Sequence, residues 1–250
     1  MAFHQRREAL RAILSGSSCI RPASVYDAIS IRVAEDFGFE VGMFGGSVAS
    51  LAVLGDPDIT LITLTEIAEQ MRRMSRASVL PVLVDADHGY GNALNVRRTV
   101  QELEAAGAAG LTIEDTLLPQ AYGEAKMQLI SSEEGVSKMR GALDGRSDPL
   151  LVIMARTGAA SLTSLDDAIG RAKAYEATGV DALFFTGLKA SAELDAIAAA
   201  TQAVYETPKA LREGVPPKSL KGLASSELTG RLTRDADMKN RGAEFLGIKK

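Results

Sequence analysis

Residues 81–92 read PVLVDADHGYGN. The apolar run Pro81 to Val84 ends on Asp85, a glycine-bearing turn follows, and an amphipathic stretch over 93–106 closes on Gly107. A strand with no polar position before its last residue is covered on both faces, as in a parallel sheet whose crossovers are helices. Acids at the end of such a strand fall on the edge where parallel α/β proteins bind ligands.

The same unit recurs along the chain. Strands are predicted at about 19–24 (Cys19 to Ser24), 41–45, 81–85, 110–113, 150–154 and 182–185. Helices are predicted over 27–37, 64–77, 93–106, 132–143, 165–178 and 191–206. Gly38, Gly107 and Gly179 stand where a helix needs a left-handed stop, and Ser131 and Ser164 where N-caps are wanted. Six βα units are legible, and no apolar β-branched run follows Gly187. Two architectures remain: an open doubly wound sheet, or an eight-unit barrel without its last two strands. Residues 215–250 open near Pro216-Pro217, read as polar helices and carry too little apolar surface to fold alone. The expected organisation is an α/β barrel domain over 1–214 and a helical tail over 215–250 that packs on a neighbouring subunit.

Hydrophobic residues make up 46% and charged residues 24% of the 250, the balance of a soluble globular chain able to bury its own core. A net charge of −4 argues against nucleic acid or an anionic membrane as partner, since both select basic surfaces. One cysteine, Cys19, excludes an intrachain disulfide framework and a multi-thiolate metal site. No apolar run approaches the ~20 residues that span a bilayer. Residues 1–14 lack the long apolar stretch and cleavage site of a signal peptide, so a cytoplasmic location is expected.

Three strands end in charge: Asp85, Asp87 and His88 in VDADHGYGN, Glu114 and Asp115 in TIEDT, and Arg156 in MARTG. The strand at 41–45 runs into Gly45-Gly46-Ser47. If the strand ends meet at one face, these groups converge in one pocket. Converging carboxylates repel each other unless a cation compensates them, and oxygen donors without thiolates favour Mg²⁺ or Mn²⁺ with several waters retained. The alternating pleat puts Asp85 and Asp87 on one side and Ala86 on the other. Alternatively, the acids serve as N-caps or pair with arginines, and Asp115 is as good a surface acid as Glu114. Arg156 either clamps a carboxylate or phosphate through its fork or holds one of these acids in a salt bridge. His88 either carries a proton or orients an aspartate. Gly45-Gly46 either makes a tight turn or, with Ser47, offers N–H groups to an anion. There is no GxGxxG fingerprint or Walker loop to support a dinucleotide or P-loop reading. Arg6-Arg7 and Lys249-Lys250 read as solvated ends.

VDADHGYGN followed by a helix, then GAAGLTIEDT and VIMARTGA, together with RPASVYDAIS, GGSVAS and GDPDIT, resembles the phosphoenolpyruvate mutase/isocitrate lyase superfamily over about Ile20 to Leu188. The resemblance implies a (β/α)8 TIM-type barrel with a helix-swapped C-terminus, assembled as a homotetramer from two helix-swapped dimers. It also implies Mg²⁺ and small 2-oxo or 2-hydroxy carboxylate substrates. By position, it makes Asp85 the direct metal ligand, with Asp87 and Glu114 holding metal-bound waters. Gly46 and Ser47 become contacts to the substrate carboxylate, Arg156 a substrate clamp and Asp58 an active-site polar residue. Asp58, His88 and Arg156 are the catalytic candidates.

Departures from the family pattern narrow the reading. The lyases carry a Lys-Arg-Cys-Gly-His loop after the glutamate, whose cysteine protonates the leaving enolate. Here that place reads QAYGE, with Tyr122 for the cysteine, and Cys19 is no substitute by position. The Lys-Thr-Asn-type gating loop of the mutases and phosphonopyruvate hydrolases is absent from TLLPQAYGE. The wording of GGSVAS, DADHGYGN and EDTLLP is closest to the oxaloacetate decarboxylase branch. That resemblance implies Mg²⁺-dependent loss of CO₂ from oxaloacetate, a small 2-oxo dicarboxylate, to give pyruvate through a stabilised enolate. The alternatives are a carbon–carbon lyase on a methylisocitrate- or dimethylmalate-like acid, and a non-catalytic carboxylate-binding member. A further departure lies where the family has strands 7 and 8: AELDAI runs directly into AAATQAVYE. The histidine that the family's strand 8 supplies has no counterpart, since His4 and His88 are the only histidines. About two βα units are absent, through a natural deletion or a stretch omitted from the sequence.

Overall fold

Helix starts are set by side chains that accept from the first free N–H groups: Asp27, Thr63, Asn92, Ser131 and Ser164 each do so. The glycines at 38, 107 and 179 have φ of 77°, 96° and 91°, the left-handed stops read from the sequence. The computed structural model describes residues 2–16, 20–202, 204–206, 241 and 243–247. In chain order the elements are α1 (Ala2–Leu14), β1 (Ala23–Ser24), α2 (Ala28–Asp36), β2 (Gly42–Phe44), α3 (Gly46–Leu54), α4 (Leu64–Ala77), β3 (Val82–Asp85) and α5 (Ala93–Ala105). They continue with β4 (Gly110–Glu114), α6 (Ser132–Gly145), β5 (Val152–Thr157), α7 (Ala159–Leu162), α8 (Leu165–Glu176), β6 (Ala182–Phe185), α9 (Ser191–Ala200) and β7 (Val204–Glu206).

The helix expected over 191–206 therefore ends early. Thr201 is extended, and Val204–Glu206 pairs in parallel with β6. A β-branched and an aromatic residue beside an open strand edge favour the ladder over another helical turn. Residues 17–19, with Cys19, lie outside the described residues, and β1 is shorter than the sequence predicts.

The seven strands are all parallel and lie in sequence order, β1 to β7. A doubly wound sheet reverses its strand order and carries helices on both faces. Here the winding runs one way, as in a barrel. Partners in a parallel register share a face, so Phe44, Val84, Leu111 and Ile153 lie on one side, and they join Ile67, Val100 and Met139 of the helices in the large core. Leu83, Val152, Met154 and Ala182 lie on the other side, where the single buried helical contributor is Leu10 of α1. That second face is the barrel interior. Among the described residues β1 pairs only with β2 and β7 only with β6, so the ladder does not close.

Helix α1 floors the interior at the amino ends of the strands. A Cβ on Gly110 would stand 2.9 Å from Leu10, so glycine there leaves room for the plug. Arg6 and Arg7, read as solvated, are 6% and 5% exposed. Arg6 donates to the Ser75 and Ser78 carbonyls, and Arg7 to Ala108 and Glu104 carbonyls and to Asp148 at 2.8 Å. Arg11 and Arg146 both pair with Asp181, at 2.8 and 2.7 Å. Strand starts expose free carbonyls and loop acids, and the arginines satisfy them. The tail expected over 215–250, Lys249-Lys250 included, lies outside the described residues apart from 241 and 243–247. There the Leu246 carbonyl accepts from the Gly123 N–H at 2.5 Å within the same chain. No described helix is long and apolar enough to cross a membrane.

Burial pushes the Asp148 carboxyl up, but hydrogen bonds from Arg7, the Leu150 N–H and His4 outweigh it and hold it at about 2. A carboxyl depressed by folding stabilises the fold above its unfolded value of about 4, and that contribution is lost as pH falls through the folded value. Arg7→Met should cost about 3 kcal/mol by urea unfolding at pH 7 and remove most of the extra stability loss between about pH 4 and pH 2. An unchanged midpoint would show the arginine to be dispensable.

Candidate active site

Strand β3 ends on Asp85, and register pairs Asp85 with Thr112, Thr112 with Met154, and Glu114 with Arg156. All four polar residues thus face the barrel interior at the carboxyl ends of three adjacent strands. Asp85 accepts from Arg156 Nη1 at 2.6 Å, and from Thr112 Oγ1 and its near neighbour's Asp87 N–H, both at 3.2 Å. The other arm of the guanidinium, Nη2, reaches Glu114 at 3.1 Å. Its Nε is buried without a partner, and the group lies 5.9 Å over the Phe184 ring. Of the two roles read for Arg156, the ion pair with the acids is the one seen here.

Asp87 does reach the same pocket, but not by the pleat. The strand stops at Asp85, and Asp87 turns left-handed with φ +46°, followed by Gly89, Tyr90 and Gly91 at 77°, 61° and 144°. The second wall is α3, which begins directly after β2 with Gly45 as an N-cap that has no side chain to offer. The Gly-Gly-Ser segment is therefore a helix start, with N–H groups available to an anion. A Cβ on Gly46 would stand 2.8 Å from Asp87 Oδ1 and 3.3 Å from Asp58 Oδ2, so only glycine lets both acids approach.

Four carboxylates face one guanidinium. Burial, then Asp85, Asp58 and Glu114, push Asp87 up to about 8. Asp58 at the open rim is raised by desolvation and by Asp85; Glu114 is raised by burial, with Arg156 opposing. The buried Asp87 Oδ2 has no hydrogen-bond partner. This surplus of negative charge on oxygen donors fits a hard divalent cation. Among the described residues no three His, Cys, Asp or Glu side chains lie close enough to share an ion, so the fit is to an ion that keeps most of its waters. Asp85 and Asp87 are the neighbouring carboxylates that could hold it. His88 is buried with Nδ1 unpartnered, 5.8 Å from the Tyr90 ring, and desolvation and Lys138 lower it to about 4, so its imidazole is neutral near pH 7.

The acid beside Glu114 is no surface acid. Asp115 is 2% exposed and points to the helical side, where it accepts from Tyr175 at 2.7 Å and Arg171 at 3.1 Å. Ser47 is exposed in the first turn of α3, and Tyr122 is 78% exposed on the loop after β4. Sequence reading missed Thr112, whose signal was its place two residues before Glu114 on one strand face, and Lys138, a lone lysine on the buried side of α6.

The fold and the site define a class: a one-way-wound α/β chain of the barrel kind whose strand ends carry a cation-ready acidic pocket. The family model described as phosphoenolpyruvate phosphomutase matches residues 10–223. An oxaloacetate decarboxylase from Bradyrhizobium diazoefficiens is 69% identical over 288 aligned positions, with all of both chains covered. An oxaloacetate acetylhydrolase in complex with 3,3-difluorooxalacetate superposes with a TM-score of 0.73 at 22% identity, covering 98% of each chain. A phosphonopyruvate hydrolase complexed with oxalate and Mg²⁺ gives 0.68 at 24%, covering 96% of this chain and 99% of that one. The chain belongs to the phosphoenolpyruvate phosphomutase family. With 250 residues against 288 aligned positions, at least 38 positions of the Bradyrhizobium relative have no counterpart here, in keeping with the βα material missing from the sequence.

The two neighbouring acids should separate by experiment. Glu114→Gln should leave urea stability within about 1 kcal/mol, because it relieves repulsion among the acids while Asp85 keeps Arg156 paired, and should weaken divalent-cation binding, whereas Asp115→Ala should cost about 3 kcal/mol by stranding Arg171. Equal effects of the two changes would contradict the opposed faces.

Proposed function

We propose that the chain is a Mg²⁺- or Mn²⁺-dependent carboxy-lyase that converts oxaloacetate to pyruvate and CO₂. The observation that carries the reading is the acidic pocket around Arg156, in a chain so similar over its length to an oxaloacetate decarboxylase. When bound, the cation supplies a Lewis acid for the 2-oxo end of the substrate as the distal carboxylate leaves. Asp85 and Asp87 would hold the cation, with Glu114 the acid nearest its hydration shell. The N–H groups of Gly46 and Ser47 receive a substrate carboxylate at the start of α3. Arg156, whose Nε has no partner, would bind a carboxylate of the dianion and fix its orientation. Asp58 at the rim and neutral His88 are the candidates for placing the proton that returns to the product carbon. No protein nucleophile is needed for this reaction. The reading extends to a cytoplasmic homotetramer built from helix-swapped pairs, which sedimentation velocity reads directly: a monomer at micromolar concentration would remove it.

One observation favours a second reading. The absence of at least 38 positions, with a sheet that among the described residues ends at β7, supports a member that binds metal and carboxylate without turnover. Oxaloacetate consumption coupled to pyruvate detection, corrected for the cation's own slow reaction with free substrate, separates the two. The decarboxylase should turn over with Mg²⁺, stop with EDTA and lose about 100-fold or more in kcat/KM in Asp85→Asn. Oxalate and Mg²⁺ binding without turnover would establish the silent binder instead.

A further inference from the structure

Lys138 lies within α6, 3% exposed, and its Nζ donates to the His88 carbonyl at 2.9 Å. Among the described residues it makes no ion pair within 4.0 Å, although Glu134, Asp115 and Glu114 act on it from farther away. Burying an ammonium with one carbonyl for company is costly, and an apolar side chain would fill the same helix position without that cost. What the lysine holds therefore deserves a physical account.

It holds a backbone that resists its own shape. Asp87 and Tyr90 carry side chains at φ +46° and +61°, a region such residues seldom adopt. Three successive carbonyls of this loop are each fastened by a different element. The Asp87 carbonyl accepts from the Glu114 N–H of β4 at 2.8 Å, the His88 carbonyl from Lys138 of α6, and the Gly89 carbonyl from Thr99 Oγ1 of α5 at 3.0 Å. Only the middle fastening is ionic, and only it comes from outside the β3–α5–β4 unit. Helix α6 can supply it because it lies directly on α5: a Cβ at Gly145 would meet the Arg97 carbonyl at 2.5 Å, and one at Gly141 would strike the Ala93 carbonyl.

We propose that Lys138 is a positioning residue for the cation site, which fixes the left-handed turn that presents the Asp87 carboxylate beside Asp85; the proposal rests on the metal-site reading above. Outer-shell groups of this kind govern metal affinity about 10–100-fold.

The test uses the full chain and Mn²⁺ alone, titrated calorimetrically, with melting temperature measured alongside. Lys138→Met should weaken Mn²⁺ binding by about tenfold or more, and Lys138→Arg should recover part of the loss. Thr99→Val should shift the affinity in the same direction by less, and it carries the test if Lys138→Met does not fold. Arg171→Met removes another buried cation, one that touches Asp115 and not the loop; it should lower the melting temperature and leave Mn²⁺ affinity unchanged. Wild-type affinity in Lys138→Met would overturn the proposal. So would an equal weakening in Arg171→Met, or, where Lys138→Met fails to fold, an unchanged affinity in Thr99→Val. A wild-type chain that takes up no Mn²⁺ ends the metal-site reading itself before any variant is compared.

Discussion

The pairing of Arg156 with Asp85 and Glu114, at 2.6 and 3.1 Å, joins the carboxyl ends of β3, β4 and β5 through one guanidinium. Buried ion pairs are poor stabilisers, because desolvation takes back most of what Coulomb attraction gives. This one is also unbalanced, since Asp87 and Asp58 share the pocket and, among the described residues, one guanidinium faces four carboxylates. The imbalance has a consequence for everything around it. Walls must approach closely enough to crowd the acids yet leave them no neutralising partner, which is why the α3 start is glycine and the Asp87 turn is left-handed.

The opposite end of the sheet solves the reverse problem. There the strands begin, their loops present free carbonyls and the acids Asp148 and Asp181, the last turn of α5 presents Glu104, and arginines from α1 and the α6–β5 connection meet them. Positive charge is spent where it closes the floor, and negative charge is left over where the ligand enters. A net charge of −4 for the whole chain conceals this polarity. The surplus of negative charge is therefore a property of one end of the barrel, where Arg156 alone of the described arginines pairs with the pocket acids.

Much of this was readable before any coordinates. Apolar runs bounded by glycine stops gave six of the seven strands, and the helix over 64–77 coincides with α4. Period and punctuation are local, and local signals survive in one sequence. What escaped depends on distant partners. Arg6 and Arg7 look solvated until the carbonyls of residues 75, 78, 104 and 108 are brought against them. Asp115 looks interchangeable with Glu114 until the pleat sends one to the helices and the other to the interior. Asp87 was placed in the right pocket for the wrong reason, because alternation describes strands and the chain had already left the strand. β7 was hidden because three residues beside an open edge need no periodicity to pair.

Every residue assigned to the pocket lies between Gly46 and Arg156, on the segment from the end of β2 to β5. The break in the family pattern comes later, within α9, where AELDAI meets AAATQAVYE after Ile197. Charge crowding, the glycine cradle and the anchored turn are therefore independent of the missing material. Beyond β5 the described residues supply only two strands, β6, which pairs Phe184 with Arg156, and the short β7 beside it. The geometry of the acidic pocket is thus fixed along one arc of the barrel's circumference, from the end of β2 to β5.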